Sequence, residues 1–194
     1  MTDMIVDATS WFARSWHAAR SDEATDSVNG RVLPDVPRGT LHVALSTLFR
    51  MLGPSHYFPR PDRALFCWDV QSKNDKGRAP KPPGYYEEMH ELRKMTRFLT
   101  GASQAWKHTS EADDAVATAA FRRRAAGHKV IILSGDKDLM QLVRKDISYY
   151  SLCHKKMYSI EDVVTKFHVK RPAQIAIALA ITGDPDDKLD AKEG

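Results

Sequence analysis

Three short apolar runs, each ending close to an aspartate, constrain the fold more than any other feature of the sequence. The aspartates that follow these runs are Asp7, Asp69 and Asp136. Apolar runs of this length are typical of buried parallel strands. Helical patterns lie between them, so the sequence predicts an α/β fold with a mostly parallel central sheet flanked by helices. In such sheets ligands bind beyond the carboxyl ends of the strands, where these aspartates are expected.

Apolar positions spaced three and four residues apart predict the helices that connect and follow these strands. The predicted helices cover residues 41–52, 89–101, 111–126, 138–145, 160–167 and 172–181. A strand over residues 147–152 is expected to pair with residues 156–158. Residues 20–38 and 70–84 are polar, contain Pro and Gly, and are expected to be irregular.

Several classes of protein are excluded by what the sequence lacks. No apolar run approaches the ~20 residues that cross a bilayer, and the acidic Asp3 argues against a secretory leader. Cys67 and Cys153 are too few for a disulfide framework or a cysteine zinc site, so both are expected to be reduced thiols. The sequence contains neither a GxxxxGK[ST] phosphate loop nor a GxSxG nucleophile motif.

Further acidic residues cluster in three strings, EADD at 111–114, SGDKD at 134–138 and GDPDD at 183–187. Capping of helix starts, with Ser110 as an N-cap, explains the first two strings as well as function does. Capping does not account for Asp7 and Asp69 at the ends of neighbouring strands, because converging carboxylates repel unless cations bind there. Mg²⁺ and Mn²⁺ prefer such oxygen ligands, and paired ions of this kind serve phosphodiester chemistry.

The same strings resemble motifs of the 5′-nuclease family, which comprises the 5′–3′ exonuclease domain of bacterial DNA polymerase I, phage 5′ nucleases and flap endonucleases. DATSWFAR at residues 7–14 is similar to DGSSYLYR in the family, and EADD matches a family motif directly. SGDKDLMQLV at 134–143 resembles TGDKDxxQLV, and EDVVTKFHV at 161–169 resembles EEVVxKYGV. DKGRAPKPP at 75–83 resembles YKxxRPPxP with one residue missing. The motifs follow in family order over nearly the whole chain.

The resemblance implies a PIN-like 5′-nuclease fold with a site for two divalent cations, Mg²⁺ or Mn²⁺. The first ion is expected to be held, directly or through water, by Asp7, Asp69, Glu111, Asp113, Asp114 and Asp136. The second ion is expected at Asp138, Asp184 and Asp187, with Asp136 shared. The implied activity is two-metal hydrolysis of DNA at 5′ ends, flaps or junctions, which leaves a 5′-phosphate and a 3′-hydroxyl.

Basic residues of the matching motifs carry the expected DNA contacts. By the resemblance, Lys76 and Arg78 lie at the base of a flexible basic arch, about residues 70–101, and clamp the scissile phosphate. The expected DNA-binding residues are Arg14, Lys73, Lys76, Arg78 and Lys81. Taken alone, the stretch 70–84 is better explained as a solvated loop, and the family match reverses that balance.

The chain departs from the family pattern in two places. Ala8 follows the first aspartate where the family has Gly, and GDPDDKLDAKEG stands where the family has GDxSDN and a Gly-rich helix-hairpin-helix. We therefore expect residues 1–182 to form the catalytic domain and residues 183–194 a remnant of the second-metal region, with the hairpin truncated or absent. The expected partners are DNA and a polymerase or other replication protein, for a monomer in the cytoplasm of a bacterial cell or phage-infected host.

Two other functions fit the sequence. A PIN-like ribonuclease would use a similar acidic cluster, although the basic arch-like segment argues against it. A non-catalytic DNA-binding module with a degenerate site is the other, and the nine retained carboxylates argue against it because crowded acids without a role cost stability. The net charge of +4 conceals this cluster. Without its nine acids the chain has 16 acidic and 29 basic residues, a balance suited to a polyanion.

Overall fold

The protein is described by a computed structural model that covers residues 1–25, 38–52, 60–69, 81–100, 102–105 and 111–183. The strands are β1 (Thr2–Asp7), β2 (Arg63–Cys67), β3 (Ser103–Ala105), β4 (Lys129–Ser134), β5 (Ile147–Ser151) and β6 (Lys156–Tyr158). The α-helices are α1 (Ala8–Thr25), α2 (Arg38–Leu52), α3 (Tyr85–Thr100), α4 (Ala112–Ala125), α5 (Ile160–Phe167) and α6 (Ile175–Thr182). Two short 3₁₀ helices cover Asp138–Leu142 and Pro172–Gln174.

All six strands form one sheet in the order β3-β2-β1-β4-β5-β6. Every neighbouring pair is parallel except β5 and β6. In this register Asp7 lies opposite Cys67 of β2, and Val6 lies opposite Leu133 of β4. The carboxyl ends of β1, β2 and β4 therefore share one edge, and the chain order reverses at β1, where open α/β sheets bind ligands. The predicted mostly parallel α/β architecture is confirmed.

The sheet separates two apolar layers because successive side chains of a strand point to opposite faces. Met4 and Val6 of β1 belong to the layer that contains α1, whereas Ile5 belongs to the layer that contains α4. In the first layer Trp11 and Trp16 of α1 are each only 1% exposed. Burial of such side chains contributes about 2–3 kcal/mol each, and it fixes the start of α1 against the sheet.

Helix α3 covers the second half of the segment that the sequence assigned to a flexible arch. Its Tyr85 ring packs edge-on against Phe12 and Trp16, with centroids 4.9 and 5.1 Å away, and its Leu92 is buried. Residues 85–100 are therefore fixed to the body of the domain.

Three details of the predicted elements are wrong. Helix α1 (Ala8–Thr25) was not predicted, and its last turns make residues 20–25 helical rather than irregular. The predicted helix over 138–145 is a 3₁₀ helix of five residues, Asp138–Leu142, since Val143 is already extended. The three-residue strand β3 (Ser103–Ala105) was not predicted, because SQA carries no apolar pattern. In the described ranges, no helix is long and apolar enough to span a bilayer.

Candidate active site

Five of the predicted carboxylates lie near one another at the carboxyl edge of the sheet. Asp113 lies in the first turn of α4. Burial and the negative charges of Asp7, Asp136, Asp69 and Glu111 raise the pKa of its carboxyl group. Three strands and one helix start thus bring together residues that are far apart in sequence. This confirms that the strand-end aspartates converge, as the parallel sheet requires.

Each strand-end aspartate also accepts a hydrogen bond from the start of a helix. Asp7 Oδ1 accepts from the Ser10 amide at 3.0 Å, in the first turn of α1. Asp69 Oδ1 accepts from the Ala112 amide of α4 at 2.6 Å, and Asp136 Oδ1 accepts from the Asp138 amide at 2.8 Å. The amide groups at a helix start lack partners within the helix and favour a negative charge. These bonds fix the three carboxylates in place.

Capping therefore applies to more of the acidic residues than the sequence suggested. The expected division, with capping reserved for the strings at 111–114 and 134–138, is wrong for Asp7, which caps α1 directly. The N-cap position of α4 is held by Glu111, rather than Ser110, and its side chain makes no capping bond. Asp69, two residues beyond the end of β2, supplies that bond instead. Capping and function are not alternatives here, because each of these amide bonds uses only one oxygen, Oδ1, of the aspartate.

Four hydroxyl groups that the sequence reasoning missed organise this edge. Ser134 Oγ donates to Asp7 Oδ2 at 2.6 Å and accepts from the Asp136 amide at 2.9 Å. Tyr149 Oη lies 2.9 and 2.7 Å from the carbonyl oxygens of Ser134 and Asp136. Thr9 Oγ1 accepts from the Asp69 amide, and Ser10 Oγ accepts from the Gly135 amide. Two of these groups had a signal in the sequence. Ser134 ends an apolar strand, and Tyr149 occupies an inward position of β5.

The cluster strongly perturbs two of its carboxyl groups. Burial, offset in part by hydrogen bonds from Ser134 and Ser10, raises the pKa of Asp7 to about 6. Burial and the charges of Asp7, Asp136, Asp69 and Glu111 raise the pKa of Asp113 to about 8. Within the described residues, no Lys or Arg forms an ion pair with Asp7 or Asp113. An all-oxygen donor set with excess negative charge fits a hard divalent cation.

The described part of the chain does not contain a ready-made coordination shell. Over these ranges, no three His, Cys, Asp or Glu side chains converge closely enough to hold a metal ion. The carboxylates are near enough to contribute to the raised pKa of Asp7 and of Asp113, but their oxygens do not meet at one point. Asp114 lies in the first turn of α4 with an exposed side chain, and Asp138 begins the 3₁₀ helix beside Asp136. Asp184 and Asp187 lie outside the described residues.

The predicted DNA-binding residues are only partly described. Lys73, Lys76 and Arg78 lie outside the described residues. Lys81 is exposed, and its Nζ lies 5.3 Å from the centroid of the Tyr85 ring. Arg14 is exposed on α1, and its guanidinium contacts Cys153 in the turn between β5 and β6. The structure thus places Arg14 beside the acidic edge, one helical turn beyond Ser10.

A family model described as the N-terminal resolvase-like domain of 5′–3′ exonucleases matches residues 2–168. The chain belongs to this family. The resemblance predicted from the sequence motifs is therefore confirmed, and the matched range contains all the candidate carboxylates that the structure describes. Those residues are Asp7, Asp69, Glu111, Asp113, Asp114, Asp136 and Asp138.

Curated relatives of this 5′–3′ exonuclease family member include flap endonucleases. Flap endonuclease Xni of Colwellia psychrerythraea is 26% identical over 175 residues, which cover 87% of this chain and 59% of the relative. Flap endonuclease Xni of Shewanella amazonensis is 29% identical over 189 residues, which cover 96% of this chain and 70% of the relative. The chain thus spans about three fifths of the first relative's length.

Solved structures share the fold of this family member. The structure of T5 5′-exonuclease with zinc ions bound aligns with a TM-score of 0.64 at 18% identity, covering 100% of this chain and 71% of that one. The catalytic core of Rad2 in complex with a DNA substrate aligns with a TM-score of 0.53 at 16% identity, covering 99% and 57%. These likenesses confirm the predicted PIN-like 5′-nuclease fold.

The raised pKa of Asp113 predicts how the stability of the metal-free protein depends on pH. The folded state keeps a proton up to about pH 8, whereas the unfolded chain releases it near the ordinary value of 3.8. Stability is therefore lost as pH rises from about 4 to about 8. Asp113→Asn removes this penalty, and we expect about 2 kcal/mol of stabilisation at pH 8, since Asp113 is only partly buried.

Thermal denaturation in EDTA at several pH values checks this prediction. The wild-type melting temperature should fall across this range, and the Asp113→Asn variant should show a flatter profile. Asp146→Asn, at the opposite edge of the sheet beside Arg124, is the matched control and should follow the wild-type slope. Equal slopes for Asp113→Asn and wild type would show that titration of Asp113 does not cause the pH dependence of stability.

Proposed function

We propose that the protein is a divalent-metal-dependent 5′ nuclease that hydrolyses DNA phosphodiester bonds at 5′ ends or flaps. The observation that carries this proposal is the carboxylate cluster at the ends of β1, β2 and β4 and the start of α4, where burial and neighbouring charges raise the pKa of Asp113 to about 8. A folded domain tolerates such crowding where cations offset the charge. Membership of the 5′–3′ exonuclease family supports the reaction class.

The proposed metal ligands follow the two sets expected from the sequence. Asp7, Asp69, Glu111, Asp113, Asp114 and Asp136 would hold one Mg²⁺ or Mn²⁺ ion, and Asp138, Asp184 and Asp187, with Asp136 shared, would hold the second. When bound, such ions activate a water for attack and stabilise charge on the attacking and leaving oxygens. The protein's own contribution is to fix the ligands: Ser134 orients Asp7, and helix-start amides orient Asp69 and Asp136.

Basic residues would hold the substrate against this acidic edge. Lys76 and Arg78 are proposed to contact the scissile phosphate. Their positive charges would stabilise the negative charge that develops there in the transition state. Arg14, Lys73 and Lys81 are proposed to contact backbone phosphates, a sequence-independent and salt-dependent interaction. Products with a 5′-phosphate and a 3′-hydroxyl follow from attack on the phosphorus with the 3′ oxygen as the leaving group.

The domain boundaries, partners, oligomeric state and cellular location are also proposed here. Residues 1–182 would be the catalytic domain, with a substrate arch before α3, and residues 183–194 would contribute to the second metal site. The proposed partners are DNA with 5′ ends, flaps or junctions and a polymerase or other replication protein. The names of the relatives, flap endonuclease and DNA polymerase I, support that assignment. We propose a monomer that acts in the cytoplasm of a bacterial cell or phage-infected host.

Cleavage of labelled substrates tests the proposed function. Single-stranded, duplex and 5′-flap DNA of one sequence, and RNA of the same sequence, are incubated with Mg²⁺, with Mn²⁺ and with EDTA. We expect cleavage of DNA with a free 5′ end in either metal and none in EDTA. Cleavage of RNA alone would assign the protein to the PIN-like ribonucleases. Binding of DNA without cleavage in either metal would indicate a non-catalytic module.

A further inference from the structure

The guanidinium of Arg14 is held by the turn between β5 and β6. Its Nη1 donates to Cys153 Sγ at 3.1 Å, and its Nη2 donates to the Cys153 carbonyl oxygen at 3.4 Å. Both contacts come from one residue that is 139 positions away in sequence. Two donors of a rigid planar group on two atoms of one residue define the orientation of that group, which a single flexible contact would not do.

Hydrogen bonds also connect the turn between β5 and β6 to the candidate active site. Cys153 Sγ donates to the Gly135 carbonyl oxygen at 3.7 Å, and the Gly135 amide donates to Ser10 Oγ at 2.9 Å. A Cβ on Gly135 would lie 2.8 Å from Ser10 Oγ and 3.5 Å from Cys153 Sγ, so a larger residue there would push the two apart. Arg14 follows Ser10 by four residues on α1, about 6 Å along the helix. Four residues thus form a closed ring next to Asp136.

We propose that Cys153 positions Arg14, so that the guanidinium is presented to a DNA backbone phosphate at the edge of the active site. An arginine beside an acidic cluster would ordinarily pair with a carboxylate, and its donors would then not be available to a phosphate. A thiol and a carbonyl group orient the guanidinium without neutralising its charge. The role of Arg14 at a phosphate rests on the proposed function, whereas its positioning by Cys153 does not.

The second cysteine provides an internal control for chemical modification. Cys67 is fully buried in β2, and burial raises the pKa of its thiol to about 12. Cys153 is exposed. Because thiol reagents attack the accessible thiolate, N-ethylmaleimide should label Cys153 in the folded protein and spare Cys67. An adduct on Sγ would block the Arg14 Nη1 bond to that atom and should displace the guanidinium.

A double-mutant cycle on DNA binding tests the proposal. Anisotropy of a fluorescein-labelled 5′-flap DNA is followed in EDTA over a range of salt concentrations, with Arg14→Ala, Cys153→Ala and the double variant. We expect Arg14→Ala to weaken binding about tenfold at low salt and to lower the log–log salt slope by about 0.9, as for one lost phosphate contact. Cys153→Ala should weaken binding about threefold and add nothing once Arg14 is absent. Cys153→Ser, which keeps an acceptor, should restore most of the affinity.

A measurement without DNA separates this proposal from the proposed function. ¹⁵N relaxation of the Arg14 Nε–H group reports whether the side chain is held, and its order parameter should fall in Cys153→Ala and recover in Cys153→Ser. An unchanged order parameter, or additive effects of the two alanine substitutions on binding, would overturn the positioning role. If the order parameter falls but the wild type does not bind DNA, Cys153 still positions Arg14 and the proposed nuclease function fails.

Discussion

Asp136→Asn is expected to abolish divalent-metal-dependent cleavage of DNA, a loss of at least about 10²-fold. Asp136 is the residue proposed to serve both metal ions, so its carboxylate contributes charge to each. The amide oxygen of Asn can still accept the hydrogen bond from the Asp138 amide, which preserves the local backbone. The variant therefore removes charge while leaving the start of the 3₁₀ helix in place. Initial rates on 5′-flap DNA with Mg²⁺ measure the effect.

The stability of this variant should not fall with its activity. The Asp136 charge raises the pKa of both Asp7 and Asp113, so its removal relieves repulsion in the metal-free protein. We expect the melting temperature in EDTA at pH 8 to equal or exceed that of the wild type. Asp146→Asn carries the same change of atoms and charge at the far edge of the sheet and should keep full activity. Unchanged cleavage by Asp136→Asn would remove Asp136 from the catalytic site.

Lys76→Ala and Arg78→Ala are expected to lower kcat about 10²-fold each, the size of effect seen when one group that stabilises transition-state charge is removed. The proposed role is contact with the scissile phosphate as negative charge develops there. Such a contact is stronger in the transition state than in the ground state, so KM should change far less than kcat. Steady-state kinetics on 5′-flap DNA separate the two parameters.

A matched substitution on α3 controls for the loss of one positive charge. Lys94 is exposed and pairs with Glu91 at 2.8 Å, so Lys94→Ala changes the net charge equally without approaching the acidic edge. We expect Lys94→Ala to retain the wild-type kcat. Melting temperatures of all three variants should stay close to the wild type. A large drop in melting temperature for Lys76→Ala or Arg78→Ala would show that these residues support the fold instead.

The parts of the fold with strong periodic signals could be predicted from sequence. The apolar runs of β1, β2 and β4 identified a parallel sheet, because a strand buried on both faces is apolar at every position. That sheet then required Asp7 and Asp69 to approach each other. The short β3 escaped prediction because three residues, SQA, carry no periodicity, and within the described ranges its pairing is with β2 alone. Its existence depends on tertiary contact rather than on local sequence.

The acidic residues of the site could be predicted, but their supporting groups could not. Carboxylates stand out in sequence because they are rarely buried without a reason. Ser134 and Tyr149 do not, since a hydroxyl at a strand end is common. Ser134 Oγ bonds Asp7, 127 residues away, and Tyr149 Oη bonds the Ser134 carbonyl oxygen, 15 residues away. The contact between Arg14 and Cys153 joins α1 to a turn more than a hundred residues later. Such pairs become visible only when the register of the sheet is known.

Calorimetric titration with Mn²⁺ or Mg²⁺ tests most directly whether the carboxylate cluster is a divalent-cation site. At pH 7, Asp113, with its pKa of about 8, still holds most of one proton, and a bound cation should displace it. Titration in two buffers of different ionisation enthalpy should therefore show binding with release of about one proton per protein. Absence of binding by either ion at millimolar concentration would contradict the account.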